Sequence, residues 1–366
     1  MMKRKALQRI TVAAALGAIG FGLVGSLPAQ EAPKPKKAGA LADEANKVIG
    51  NEINDKQRKA VEKGLAWLAK RQGEQGNFQQ QGYSNHAGIT SLAGLAFMQA
   101  GNLPGRGKYG KEVQAVLDYV LANCQRSGLI TSDSSSGPMY GHGFATLFLG
   151  EVYGMTGNEE VKEKLQRAVQ LIQKTQNQEG GWRYQPAPYD ADISVTICQV
   201  MGLRAARDAG IKVEKEVVDK AVEYCRRCQN PDGGFNYMAG QGPGGSGFPR
   251  SAAGVAALYY AGIFEGKEVE NGLNYLKQFI PGKNSGRNEG HYFYGHYYAV
   301  QANFLAGGDY WAKWYPAIRD ELCNSQQDNG AWSGDFSEDY ATAMALIILQ
   351  MPNRYLPVYA GKGPGS

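Results

Sequence analysis

Histidine and cysteine are scarce in this 366-residue chain, with four and five copies, and beyond the first fifty residues its lysines and arginines form no dense block. Each shortage excludes something. A small, odd number of cysteines gives no disulfide framework. Cys225 and Cys228 are spaced like half of a two-pair zinc site, but the chain has no second such pair. In their helical-looking surroundings they read as small buried residues. Basic residues scattered among acids lack the footprint of a nucleic-acid binder, so nucleic acid is excluded as a partner. No run in the body of the chain alternates apolar and polar residues with period two, which excludes a substantial sheet.

Long apolar runs are also missing, apart from residues 10–26, which are Ala, Gly and aliphatic. Lys3, Arg4, Lys5 and Arg9 precede this run and Leu27-Pro28-Ala29-Gln30 follows it. That is the layout of a secretory signal peptide over residues 1–29. The run is just long enough to span a bilayer, so the alternatives are a cleaved leader and a retained anchor. The expected location is periplasmic or extracellular, or anchored through this segment. The four basic residues supply most of the net charge of +5, and the rest of the chain is close to neutral. Residues 30–54, with Lys34-Pro35-Lys36-Lys37, read as linker and lead-in. At 43% apolar residues the remainder can bury a large core.

What the chain does contain is a repeat. Gln72, Gly76 and Phe78; Gln176, Gly180 and Trp182; Gln229, Gly233 and Phe235; and Gln326, Gly330 and Trp332 all obey Q-x-x-x-G-x-[WF]. Gln125 followed by Gly128, and the stretch Phe279 to Gly282, stand where two degenerate copies belong. Copies recur about every 50 residues, and six fill residues 55–350, with residues 351–366 left as a C-terminal tail. A helix with apolar residues at three- and four-residue spacing precedes each motif, Val161 to Lys174 and Val217 to Arg227 being examples. A glycine ends it. After a loop comes a second helix much poorer in charge, as in Ile193 to Ala205 or Ser251 to Ala261. Charged helices outside and small-residue helices inside describe a double ring, so the fold expected is an all-α, α/α toroid of six helix hairpins.

The motif resembles the repeat signature of squalene-hopene and oxidosqualene cyclases, shared more loosely with the β subunits of protein prenyltransferases. The resemblance covers nearly all of the chain after its N-terminal segment. It implies that Gln72, Phe78, Gln176, Trp182, Gln229, Phe235, Gln326 and Trp332 tie neighbouring hairpins together and do no chemistry.

Alignment of the six copies on their motifs brings one column into view at the start of each inner helix: His86, His142, Asp192, Arg250, His296 and Asp339. Aspartate at a helix start is an ordinary N-cap. A cation there faces the positive end of the helix dipole, which leaves histidine and arginine in need of another explanation. Neutral imidazole binds metals and accepts protons. Packed helices lie about 8–10 Å apart, so ring neighbours meet and opposite residues do not. On that geometry His86, His142, His296 and Asp339 form an arc that could take a divalent metal such as zinc, while Asp192 and Arg250 form an ion pair. The fifth copy adds Tyr294, Tyr297 and Tyr298, whose rings suit an isoprenoid chain, a sugar ring or plain core packing.

The resemblance also points to chemistry. Class II terpene cyclases donate a proton from the middle Asp of a D-x-D-D motif shortly after G-G-W. Here Gly180-Gly181-Trp182 is followed by Asp190-Ala191-Asp192, which makes Asp192 the implied donor and Asp190 its neighbour. Ile193 stands where the last Asp belongs. The zinc ligands of protein prenyltransferases are not matched, because Ser194 replaces the thiolate and Arg250 the histidine. Arg71 to Gln75 lacks the cysteine of a thioester domain. The remaining readings are an enzyme using Asp192, Asp190 or His296 on an isoprenoid or a polysaccharide, and a non-catalytic toroid that binds a small lipid or glycan in its cavity, with Arg250 and the three tyrosines as contacts, or serves as a scaffold.

Overall fold

The computed structural model describes residues 52–78, 86–132, 137–282 and 284–359; the N-terminal segment read as a leader and linker lies outside them. Twelve α-helices are present among these residues, and no strand. The outer set is α1 (Asp55–Arg71), α3 (Gly110–Ala122), α5 (Glu159–Thr175), α7 (Lys215–Cys228), α9 (Lys267–Leu276) and α11 (Gly308–Ser325). The inner set is α2 (Ala87–Gln99), α4 (Met139–Thr156), α6 (Ile193–Asp208), α8 (Phe248–Tyr260), α10 (Tyr292–Ala306) and α12 (Glu338–Leu349).

Composition decides which set goes where. Every residue of α2 and of α10 is buried. The outer helices bury one stripe and put charge on the other face, as in α5, whose buried residues are Val161, Leu165, Ala168, Val169, Ile172 and Thr175. Each inner helix packs on the next, and α12 packs on α2, so the ring is closed. Small residues permit the close approach: a methyl group added at Gly143 or Gly150 of α4 would meet the backbone of Cys198 or Ala205 on α6 at 3.0 Å or less.

The motif glutamines are the ties between hairpins. Each side-chain amide donates two hydrogen bonds of 2.8–3.1 Å, one to its own motif glycine carbonyl and one to a carbonyl near the start of another outer helix. The second acceptors are Glu112 for Gln72, Val217 for Gln176, Glu268 for Gln229 and, closing the ring, Ala60 for Gln326. Trp182 and Trp332 send their indole N–H groups to Ile172 and Leu322 carbonyls at 2.8 and 2.9 Å. Gly180 has φ 98°, and a β-carbon there would land on the carbonyl oxygen of Lys220, so the motif excludes any side chain at that position.

The degenerate copies are shifted or replaced. In the second, Cys124 rather than Gln125 occupies the tie position, because Cys124 pairs with Ile130 as Gln72 pairs with Phe78 and Gln229 with Phe235. In the fifth, Gln278 turns back to the Tyr275 carbonyl, and Glu321 of α11 makes the connection instead. Its carboxylate accepts from Tyr292 Oη at 2.8 Å and pairs with Arg287 at 2.8 Å.

Long loops leading into the inner helices gather at one end of the ring, the mouth, and short connections gather at the other, the floor. Residues 351–359 cross the floor as two 3-10 turns, Met351–Asn353 and Pro357–Tyr359. Pro357–Tyr359 packs on α4 and α6, on the far side of the ring from α12. Leu356, Val358 and Tyr359 are buried there, and Val358 N–H donates to Glu151 Oε1 at 3.2 Å.

Candidate functional site

The ring has little room along its axis. Tyr294, Tyr297 and Tyr298 of α10 reach past the adjacent helices: Tyr294 Oη donates to the Ser194 carbonyl on α6 at 2.9 Å, and Tyr298 Oη lies 3.3 Å from Cys198 Sγ on the same helix. The Tyr297 ring lies 6.0 Å from Phe144 on α4, directly opposite, and its hydroxyl meets Tyr359 Oη at 3.1 Å. The three tyrosines read as ligand contacts are therefore packed into the core, joined by edge-to-face contacts with centroids 4.8 Å apart.

The six-residue column divides into positions with different tasks. His86 caps α2, its Nδ1 accepting from Gly88 and Ile89 N–H at 3.1 and 3.4 Å. A neutral imidazole can thus do what a carboxylate does at a helix start. His142 lies one turn inside α4, and its Nδ1 accepts from Ile130 N–H at 3.1 Å. Thr196, Ser251 and Thr342 play the same part toward Trp182, Phe235 and Trp332 at 2.8–3.1 Å. His296 Nε2 bonds the Ser285 carbonyl at 2.9 Å inside a box of Phe248, Tyr292 and Trp314. Burial pushes both His142 and His296 down to about 4, which keeps them neutral. Asp339 is buried at the start of α12 and pairs with Arg71 of α1 at 3.1 Å. The four residues read as a metal arc are thus not brought together, and no cluster of three or more His, Cys, Asp or Glu suited to a metal occurs among the described residues. Arg250 does not pair with Asp192; its Nε donates to the Phe235 and Gly245 carbonyls at 3.1 and 2.7 Å.

Asp192 is different. It is fully buried at the mouth, caps α6 through Oδ1 with Val195 N–H at 2.8 Å, and accepts Tyr237 Oη on Oδ2 at 3.0 Å. Arg183 Nε stands 3.7 Å away. Burial pushes its pKa up to about 6 against the opposing effect of those donors. Both oxygens thus accept from protein donors, an arrangement suited to a structural carboxylate. Asp190, by contrast, is partly exposed and paired with Arg183. The guanidinium lies over the rings of Tyr184 and Tyr237 at 5.0 and 5.9 Å, and the hydroxyls of these two tyrosines bond each other. Tyr189, close by in sequence, is 87% exposed.

Arg183, Tyr184 and Tyr237 were not singled out in the sequence, although a signal was present. They lie one or two residues after the motif aromatics Trp182 and Phe235, where the chain turns up to the mouth. A second group in the mouth loops, His291, Asp335 and Phe336, also stands partly in solvent. Of the five large apolar or aromatic side chains exposed among the described residues, three (Tyr184, Tyr189 and Phe336) belong to the mouth.

Residues 145–316 match the squalene-hopene cyclase C-terminal domain family. No curated protein sequence matches significantly. Among solved structures, an inactive variant of the α-1,6-mannanase of Salegentibacter sp. HEL1_6, in complex with α-1,6-mannotetrose, aligns at 10% identity over 82% of this chain and 100% of its own, with a TM-score of 0.64. A family 76 glycoside hydrolase (mannosidase) of Bacteroides thetaiotaomicron VPI-5482 aligns at 11% identity over 81% and 98%, with a TM-score of 0.62. A type II terpene cyclase from Scytonema aligns at 14% identity over 82% and 99%, with a TM-score of 0.57. These likenesses show the fold, an α/α toroid, and the match over residues 145–316 is consistent with a prenyltransferase/squalene-cyclase-like repeat family.

Proposed function

We propose that the chain is an exported, non-catalytic binding toroid that holds an oligosaccharide at its mouth. One observation carries the reading: tyrosines of α10 occupy the axis, where an isoprenoid would have to lie, while exposed aromatic rings and charged groups gather at the mouth. Aromatic faces beside a few placed polar groups are the ordinary lining of a small-ligand site. Arg183 and Asp190 supply donor and acceptor on one side, with Tyr184 and Tyr189 as stacking faces. The mannanase of similar fold is complexed with an α-1,6-linked oligosaccharide, which adds weight to a sugar. Export rests on the basic and apolar character of residues 1–29.

Calorimetric titration with α-1,6-mannotetraose, cellotetraose and chitotetraose, beside a prenyl alcohol, tests the reading. Saturable binding of a sugar that falls at least tenfold in Arg183→Ala and Asp190→Asn is the expected result. Binding of the prenyl alcohol alone would refute it. Prolonged incubation should release no new reducing ends, and products formed by the wild type but not by Asp192→Asn would make the protein an enzyme. N-terminal sequencing of secreted material checks export.

A further inference from the structure

His291 and Phe336 both hold a left-handed backbone, with φ of 51° and 65°, although neither is glycine. Only one other non-glycine residue among those described does so, Arg354 at the floor. Left-handed geometry is unfavourable for bulky side chains and persists where the surroundings impose it, often at ligand clamps. The two residues come from different repeats, yet their rings stack with centroids 5.7 Å apart and planes 14° from parallel. The usual return for an unusual conformation at a helix start is absent, since His291 precedes α10 without a side-chain capping bond. Nor is burial the return, because the His291 side chain is 61% exposed and Phe336 45%.

Rigid parts hold the pair in place. Tyr340 of α12 sets its ring edge against Phe336 at 5.3 Å. Ser337 caps α12 through Tyr340 N–H at 3.0 Å, and its own N–H returns to the Asp335 carbonyl at 2.8 Å, which fixes the turn carrying Phe336. Asp335 Oδ2 stands 3.9 Å from His291 Nδ1 and places a carboxylate at the edge of the stack.

We propose that the His291–Phe336 stack is a preformed platform for one pyranose ring, with Asp335 accepting hydroxyl hydrogen bonds at its edge. The chemistry fits a sugar, which has an apolar C–H face to lie on the negative face of a ring and hydroxyls around its rim for a carboxylate. The inference rests on the oligosaccharide reading and names the residues that make it selective.

The test separates strain from contact. Phe336→Ala removes the ring but keeps a side chain in the left-handed region, whereas Phe336→Gly removes both ring and strain. Phe336→Gly is expected to melt about 2–4 °C above Phe336→Ala, and both should bind the best of the three tetrasaccharides at least tenfold more weakly than the wild type. His291→Gly and His291→Ala should repeat the pattern, and Asp335→Asn should weaken binding with no change in melting. A glycine variant no more stable than its alanine partner would show that the backbone is unstrained and overturn the proposal. Undiminished sugar binding by both Phe336 variants would overturn the platform and leave the oligosaccharide reading standing. A wild type that binds none of the sugars would overturn both.

Discussion

Gln176 uses both protons of its side-chain amide, one toward Gly180 and one toward Val217. Gln176→Glu would keep the shape, remove both donors and set a carboxylate against two carbonyl oxygens. A loss of about 2–4 kcal/mol is expected from urea unfolding, against about 1–3 kcal/mol for Gln176→Ala, where only the bonds go. Glu151 makes a different case. It is buried in α4, accepts Val358 N–H, and burial pushes its pKa up to about 8 from an ordinary 4.5. A carboxyl whose pKa is raised on folding stabilises fully below its unfolded pKa and loses that contribution as pH rises through the folded one. Relative to wild type, Glu151→Gln should therefore gain stability steadily between pH 4.5 and 8 and be the more stable protein at pH 9, as read from urea midpoints across pH.

Helix pairs were legible in the sequence because the motif glycine and the change from charged to small residues mark each hairpin. Gly180→Ala should cost about 2 kcal/mol or more, since it adds left-handed strain to a collision with the Lys220 carbonyl. Gly157→Ala, also left-handed but with open space around it, should cost about 1 kcal/mol. Thermal or urea unfolding of the two variants checks the difference. What sequence alone could not supply was register inside the variable loops. Alignment on the motifs put His86 and His142 in one column, yet His86 is a cap and His142 lies a turn further in, where Thr196 and Ser251 stand in their own copies. One turn of error was enough to suggest an arc of metal ligands. The mouth residues were harder still, because Arg183 and Tyr237 acquire their meaning only when loops from neighbouring copies meet over Asp192.

At the scale of the whole ring, the six hairpins and their closure followed from counting motifs, whereas the filled axis did not. Tyr297 lies across from Phe144 only because the fifth and second inner helices are opposite one another. The C-terminal residues also contribute to the whole rather than trailing from it. A chain ending at Tyr355 loses the buried side chains of Leu356, Val358 and Tyr359, each contributing roughly 1.5–3 kcal/mol. It should keep its helical circular dichroism, melt at a lower temperature and bind an apolar dye that the full chain does not.

Ring closure has one more consequence. Linear helical repeats need distinctive end units to shield their exposed faces, but here α12 covers α2 and the Gln57 side chain of α1 bonds the Leu349 carbonyl at the end of α12. The first and last hairpins are spatial neighbours, so the place where the polypeptide begins is arbitrary as far as packing is concerned. A circular permutant that joins residue 359 to residue 52 through a glycine-rich linker long enough to cross back over the floor, and opens between α4 and α5 at Gly157, should fold to the same ring.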